Sequence, residues 1–134
     1  MSKPSVDSKT HKKRARKRAQ KRGIWAEWLA RMYLRATGQR ILAANFKTPV
    51  GEIDIIARRG GLIAFVEVKA RADAASAAAA ISAHQQRRIQ RAAEYFLMQH
   101  PALQRHDIRF DVALVSGPFT LKYLPDAWRP QDRQ

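Results

Sequence analysis

Residues 51–70 read GEIDIIARRGGLIAFVEVKA, two runs rich in β-branched residues with Gly60 and Gly61 between them. Adjacent glycines flanked by such runs signal a hairpin closed by a two-residue loop, because the favoured loop needs positive φ and glycine takes it without strain. The reading predicts strands over 52–58 and 62–70. With Gly60-Gly61 as the loop, Arg59 pairs with Leu62, Asp54 with Glu67 and Glu52 with Lys69. Directly opposed residues share a face, and Glu67 and Lys69 share one through the two-residue period of a strand. Asp54, Glu67 and Lys69 are therefore expected to cluster, the opposed carboxylates with Cβ atoms about 4.5–5.5 Å apart.

Opposed carboxylates repel, and these sit inside apolar strands, among Ile53, Ile55 and Ile56 on one side and Phe65, Val66 and Val68 on the other. A divalent cation resolves the repulsion, and hard carboxylate oxygens suit Mg²⁺ or Mn²⁺. A lysine beside such a cation can orient an attacking water or stabilise charge growing on phosphate oxygens. The spacing also admits plainer readings, with Glu52 and Lys69 as a cross-strand ion pair and Asp54 at a wet sheet edge.

Outward from the hairpin, Ile24, Trp25, Trp28, Leu29 and Met32 recur at three- and four-residue steps and predict a helix from Gly23 to about Thr37 with one apolar face. Gly38 stands where a C-terminal cap is wanted. A short strand is expected over 40–46, a helix over 74–99 that Ser82 can kink or split and Pro101 closes, and strands over 107–115 and 119–124. The order α, β, β, β, α, β, β predicts an α/β domain over residues 23–128, a central mixed sheet of about five strands with flanking helices. Residues 129–134 read as a short C-terminal tail.

The 134 residues carry 26 Lys or Arg against 11 acids, a formal charge of +15. Such a chain is drawn to polyanions, nucleic acid or anionic membrane. Ten of residues 1–22 are Lys or Arg, among them Lys12, Lys13, Arg14 and Arg16. With no large apolar side chain between Val6 and Ile24, the stretch is expected to be a disordered basic arm, helical when bound, making sequence-independent phosphate contacts. Cysteine is absent, which excludes disulfides and thiolate zinc sites. No apolar run approaches the roughly 20 residues of a membrane span. No apolar segment follows the N-terminal charges as in a secretory signal, so a cytoplasmic protein is expected. His84, His100 and His106 share no metal-ligand spacing and read as surface or loop residues. Asp111, in a strand beside Arg109, reads as structural, with metal binding the alternative. Trp25, Trp28 and Phe65 read as core, with base stacking the alternative.

Five pieces in order give the chain a wider likeness: Gly23 to Glu27, Gly51 to Ile56, Phe65 to Arg71, Ala92-Ala93 before Tyr95, and Arg109 to Val112. On these the chain resembles the YraN family of small bacterial proteins, over roughly residues 23–128. That fold is similar to restriction endonucleases and Holliday junction resolvases. The resemblance implies a PD-(D/E)xK nuclease core: Asp54 and Glu67 bind Mg²⁺ or Mn²⁺ with help from the Val68 carbonyl, and Lys69 is catalytic. Glu27 would reach the metal from the first helix, or else pair with Arg31 four residues on. Arg71, Gln85, Arg87 and Arg88 are expected to meet nucleic acid, DNA rather than RNA, and the resolvase likeness admits a homodimer. Ile53 stands where the pattern's name has proline, Gln85 where the family tends to have lysine, and the basic arm has no counterpart. A nucleic-acid-binding protein that keeps the fold without the chemistry is the alternative.

Overall fold

The computed structural model describes residues 6–70 and 81–130. Helix α1 (Val6–Ala36) leads into strands β1 (Arg40–Thr48), β2 (Gly51–Arg59) and β3 (Leu62–Ala70). Helix α2 (Ala83–Gln99), a 3-10 turn (Pro101–Leu103) and strands β4 (Asp107–Val115) and β5 (Leu121–Trp128) follow. The strands form one sheet in the order β1-β2-β3-β4-β5, antiparallel except for the parallel β3–β4 pair. This is the predicted α/β architecture with a five-stranded mixed sheet. Adjacent parallel strands need a crossover, and α2 lies in it.

Strand alternation divides the core in two. On one face Ile56, Ile63, Phe65, Phe110 and Val112 pack with Ile89, Ala93 and Phe96 of α2. On the other, Ile55, Ala57, Ala64, Val66 and Ala113 pack with Ala30 and Leu34 of α1. Phe65 is thus core, as expected. The α1 side of the sheet is largely alanine, so its partner must come close, and the buried helix residues are Ala26, Ala30 and Leu34, four apart. The predicted apolar face of α1 is thereby overturned: Ile24, Trp25 and Trp28 are exposed, and Leu29 and Met32 half-buried. An indole in place of Ala26 or Ala30 would hold the helix away from Ala57, Ala64 and Ala113, which are too short to reach across the gap.

The start of α1 is a second correction. The helix begins at Val6 rather than near Gly23, so the stretch expected to be a disordered arm is helical from that residue on. Residues 6–22 contain neither Gly nor Pro and are mostly Lys, Arg, Ala and Gln, which are good helix formers. Its end is as predicted: Gly38 takes φ 85°, and the N–H groups of Gly38 and Gln39 bond Arg35 and Leu34 carbonyls at 3.1 and 2.9 Å, a Schellman cap. Strand β5 runs on to Trp128, beyond the expected Leu124, past a shift in its pairing with β4. Residues 74–80 of the predicted second helix lie outside the described residues; α2 starts at Ala83 with Ser82 as its cap.

Strand β2 meets α2 at Gly51. A Cβ there would run into the Arg88 carbonyl, with the carbonyl carbon at 2.9 Å. Backbone cannot swing aside like a side-chain tip, so Gly51→Ala must push α2 from the start of β2. A loss of about 1–3 kcal/mol is expected, the range for overpacking, readable as a lower urea midpoint at unchanged slope.

Candidate functional site

The hairpin pairs as predicted from Arg59 and Leu62 down to Ile55 and Val66. There the ladder ends. Asp54 is next in line, and its Oδ2 accepts the backbone N–H of Val68 at 2.8 Å. A carboxylate thus takes the place of a strand carbonyl. Asp54 and Glu67 still fall on one face, where both line the same cleft. Glu67 Oε1 lies 3.4 Å from Lys69 Nζ and accepts from Gln85 Nε2 at 2.9 Å. Lys69 Nζ in turn donates to Gln85 Oε1 at 3.4 Å. One amide therefore bridges the acid and the ammonium.

Gln85 owes its position to the start of α2. Ser82 Oγ accepts the Gln85 N–H at 3.1 Å, so Ser82 and Gln85 form the pattern of a capping box. In such a box the glutamine side chain reaches back to the cap; here it turns to Glu67 and Lys69. Asp54, Glu67, Ser82 and Gln85 line a cleft of about 410 Å³ whose walls also include Glu52, His84 and Arg88. Sequence reasoning placed His84 on the surface and gave Gln85 only a contact to nucleic acid. The Ser82-x-x-Gln85 spacing was the signal for where α2 begins, and so for which of its side chains face the cleft.

Burial and mutual repulsion set the electrostatics. Glu67 is pushed up from its ordinary 4.5 to about 8, first by burial and then by the Asp54 charge, with Lys69 pulling the other way. Asp54 is raised too, by burial, against the lowering effect of the Val68 N–H. Glu27 on α1 is raised by burial and by Asp54, while hydrogen bonding to Asn45 opposes the shift, as Arg31 does more weakly. Asn45 lies in β1 with φ 52°, a left-handed conformation that asparagine tolerates better than most residues. Glu27 thus stands within electrostatic reach of Asp54 and close to both of its expected partners. Among the described residues, however, no three His, Cys, Asp or Glu side chains gather as a metal cage.

A half-buried and a buried carboxylate side by side fit one kind of cation well. Mg²⁺ is commonly held by one or two carboxylates, keeps several waters and completes its shell with substrate phosphate. The proton that Glu67 keeps occupies the role such a cation would take over. A folded-state value raised above the unfolded one means stability fully present below pH 4.5 and lost as pH rises through about 8. In EDTA the melting temperature is therefore expected to fall across that window, and in Glu67→Gln the fall should shrink. Mg²⁺ should restore wild-type stability at the alkaline end, where both carboxylates are ionised. Equal pH profiles for the two proteins would contradict the burial of this pair.

The remaining candidates divide. Arg88 lines the cleft; Arg87 is exposed on α2; Arg71 lies outside the described residues. Of Val68, the N–H is engaged with Asp54. No Glu52–Lys69 ion pair is present among the described residues, since Lys69 turns to Glu67 and Gln85. His100 caps α2 and stacks on Phe96. Asp111 is fully buried and bound by Arg109, Tyr123 and the Asp126 N–H, a structural role as read from the sequence.

A family model described as uncharacterised protein family UPF0102 matches residues 26–115, a span that holds Glu27, Asp54, Glu67, Lys69 and Gln85. The chain is similar to a UPF0102 protein of Parvibaculum lavamentivorans, 47% identical over 108 residues and 81% of each chain. A UPF0102 protein of Rhodopseudomonas palustris (strain HaA2) is 53% identical over 106 residues, covering 79% of this chain and 83% of its own. One from Paramagnetospirillum magneticum is 46% identical over 120 residues, covering 87% and 93%.

Proposed function

The chain belongs to uncharacterised protein family UPF0102, and within it we propose a divalent-metal-dependent endonuclease acting on DNA, branched or structured DNA included. The observation that carries this reading is the opposed pair Asp54 and Glu67 with Lys69 beside it, in a cleft with Arg88 in its wall. An acidic pair inside apolar strands costs stability, and a cation-dependent chemistry gives it a reason. The net charge of +15 supplies the attraction to a polyanion.

Asp54 and Glu67 would hold the cation with help from the Val68 carbonyl, and Glu27 would join them from α1. Mg²⁺ or Mn²⁺, when bound, supplies Lewis acidity toward the phosphate and makes water nucleophilic near neutral pH. The Val68 N–H fixes the Asp54 carboxylate. Gln85 fixes Glu67 and keeps the Lys69 ammonium beside it. Lys69 stabilises the charge that grows on the phosphate oxygens, and Arg88, with Arg87 and Arg71, holds the flanking backbone. A homodimer working in the cytoplasm on both strands of a junction is part of the same proposal. No helix among the described residues is long and apolar enough to cross a membrane.

A second reading, a nucleic-acid-binding protein without cleavage, needs only the charge of +15. A panel of duplex, flap, junction and single-stranded substrates, DNA and RNA, with Mg²⁺ or Mn²⁺ and with EDTA, separates the two. Cation-dependent cleavage supports the enzyme; retained binding with no cleavage of any substrate supports the second reading.

A further inference from the structure

Helix α1 presents three features together on its outer side. Ile24, Trp25 and Trp28 are 61%, 39% and 41% exposed, and Phe119, in the loop between β4 and β5, is 79% exposed. The indoles of Trp25 and Trp28 stack with centroids 5.0 Å apart at 26°, and Phe119 stands edge-on to Trp25 at 5.7 Å. Trp25 Nε1 donates to the Pro118 carbonyl, which fixes that ring to the loop. Arg31 borders the same shallow depression. Towards its N-terminus the helix continues through exposed Lys9, Lys12, Lys13, Arg14, Arg16 and Lys17. Large aromatic faces left open to solvent need a partner or an explanation, and the core gives none, because α1 packs through its alanines.

We propose that Trp25, Trp28 and Phe119 form a stacking platform for unpaired bases, with the basic half of α1 carrying the phosphates of the same strand. Single-strand binding sites combine these two parts, aromatic faces for successive bases and a cationic track for the backbone. From Lys9 to Trp25 the helix rises on the order of 24 Å, room for several nucleotides. Charge selects this occupant over a second copy, since each copy brings +15 and the basic track adjoins the patch. A membrane surface matches the charge but not the shape. An interfacial helix needs an apolar stripe along its length, and residues 7–23 contain no large apolar side chain. The inference shares with the proposed nuclease its polyanionic ligand, but it does not depend on the cation site.

The test uses the full chain in EDTA, so that cleavage plays no part, and three probes: a single-stranded DNA oligonucleotide, the same sequence as duplex, and vesicles containing phosphatidylserine. Binding is followed by anisotropy and by tryptophan fluorescence at several salt concentrations. The single strand is expected to quench the exposed indoles and to bind more tightly than the duplex. Phe119→Ala and Trp28→Ala should each weaken single-strand binding by about tenfold, leave duplex affinity in place and leave the salt slope unchanged, because no phosphate contact is lost. Phe119 is nearly bare, so its variant remains informative if Trp28→Ala folds poorly. Single-strand affinity unchanged in Phe119→Ala, with no quenching in wild type, overturns the platform while duplex binding keeps the nucleic-acid reading alive. Failure to bind either polymer removes both. A blue-shifted emission on vesicles without oligonucleotide quenching assigns the patch to membrane, and self-association abolished by Trp28→Ala assigns it to a second copy; either overturns the proposal.

Discussion

Glu67→Gln is expected to lower cation-dependent cleavage by on the order of a hundredfold or more. Cation-supported stabilisation of a phosphoryl transition state is worth several kcal/mol, and each tenfold in rate is about 1.4 kcal/mol. Glutamine keeps the size of Glu67 and removes the charge that holds the cation. Asp54→Asn should cost as much, since it removes the other charge that would hold the cation, while its amide oxygen can still accept the Val68 N–H that lies 2.8 Å from Oδ2. Lys69→Ala leaves both carboxylates and should bind the cation while failing in the chemical step. Gln85→Ala touches neither the cation nor the phosphate; it frees Glu67 and Lys69, to which it bonds at 2.9 and 3.4 Å, and a smaller loss is expected, recovered in part at high cation concentration. The decisive comparison is wild type against Glu67→Gln on a junction in Mn²⁺, both purified identically. Equal cleavage by the two would assign the activity to another site or to a contaminant. Calorimetric titration with Mn²⁺ adds an independent readout: heat present in wild type and Lys69→Ala but absent in Asp54→Asn separates a bound cation from a catalytic lysine.

Much of this site was legible in one hairpin. Two glycines and a two-residue period were enough to put Asp54 and Glu67 on one face, because a two-residue loop sets the pairing and directly opposed residues share a face. What the hairpin could not reveal is that the ladder stops at Ile55 and Val66 and that Asp54 then bonds a backbone N–H, since pairing rules assume the strands continue. The first helix was misread for a related reason. Size was taken as the measure of burial, so Trp25 and Trp28 were given to the core. Packing depth is set jointly with the surface opposite, and Ala57, Ala64 and Ala113 let α1 come close, where Ala30 and Leu34 fill the contact. The sequence did contain those alanines, but only the sheet's topology reveals that they meet α1. Gln85 was undervalued because its charge was compared with that of lysine, whereas its use here lies in offering a donor and an acceptor at once.

Asp111→Ala is expected to cost about 3–5 kcal/mol of stability, the range for breaking a buried pair by removing one partner. Asp111 is 0% exposed and serves four donors. Arg109 Nε and Nη2 reach its two oxygens at 2.8 and 3.0 Å, the Tyr123 hydroxyl bonds Oδ2, and the Asp126 N–H bonds Oδ1 at 2.9 Å. The last bond is structural in a specific way. Pairing between β4 and β5 shifts between Phe110 and Val112, and Asp126 sits within the irregular stretch at φ 52°. The Asp111 carboxylate therefore accepts an N–H that the interrupted ladder cannot. Alanine leaves that N–H, the guanidinium and the hydroxyl without their acceptor, while Tyr123→Phe removes one donor and should cost only about 1–2 kcal/mol. Burial and the Asp111 carboxylate hold the Tyr123 hydroxyl protonated well above the ordinary tyrosine range, so the loss should be constant from pH 6 to pH 9. A fall in melting temperature of roughly 10–25 °C for Asp111→Ala follows from the expected free energy. Below its own melting point the variant should retain cation binding and cleavage, because no oxygen of Asp111 faces the cleft between Glu67 and Gln85. A variant that stays as stable as wild type would show that the four bonds are not holding β5 to the sheet. A stable variant that loses cleavage would move Asp111 from the scaffold into the chemistry.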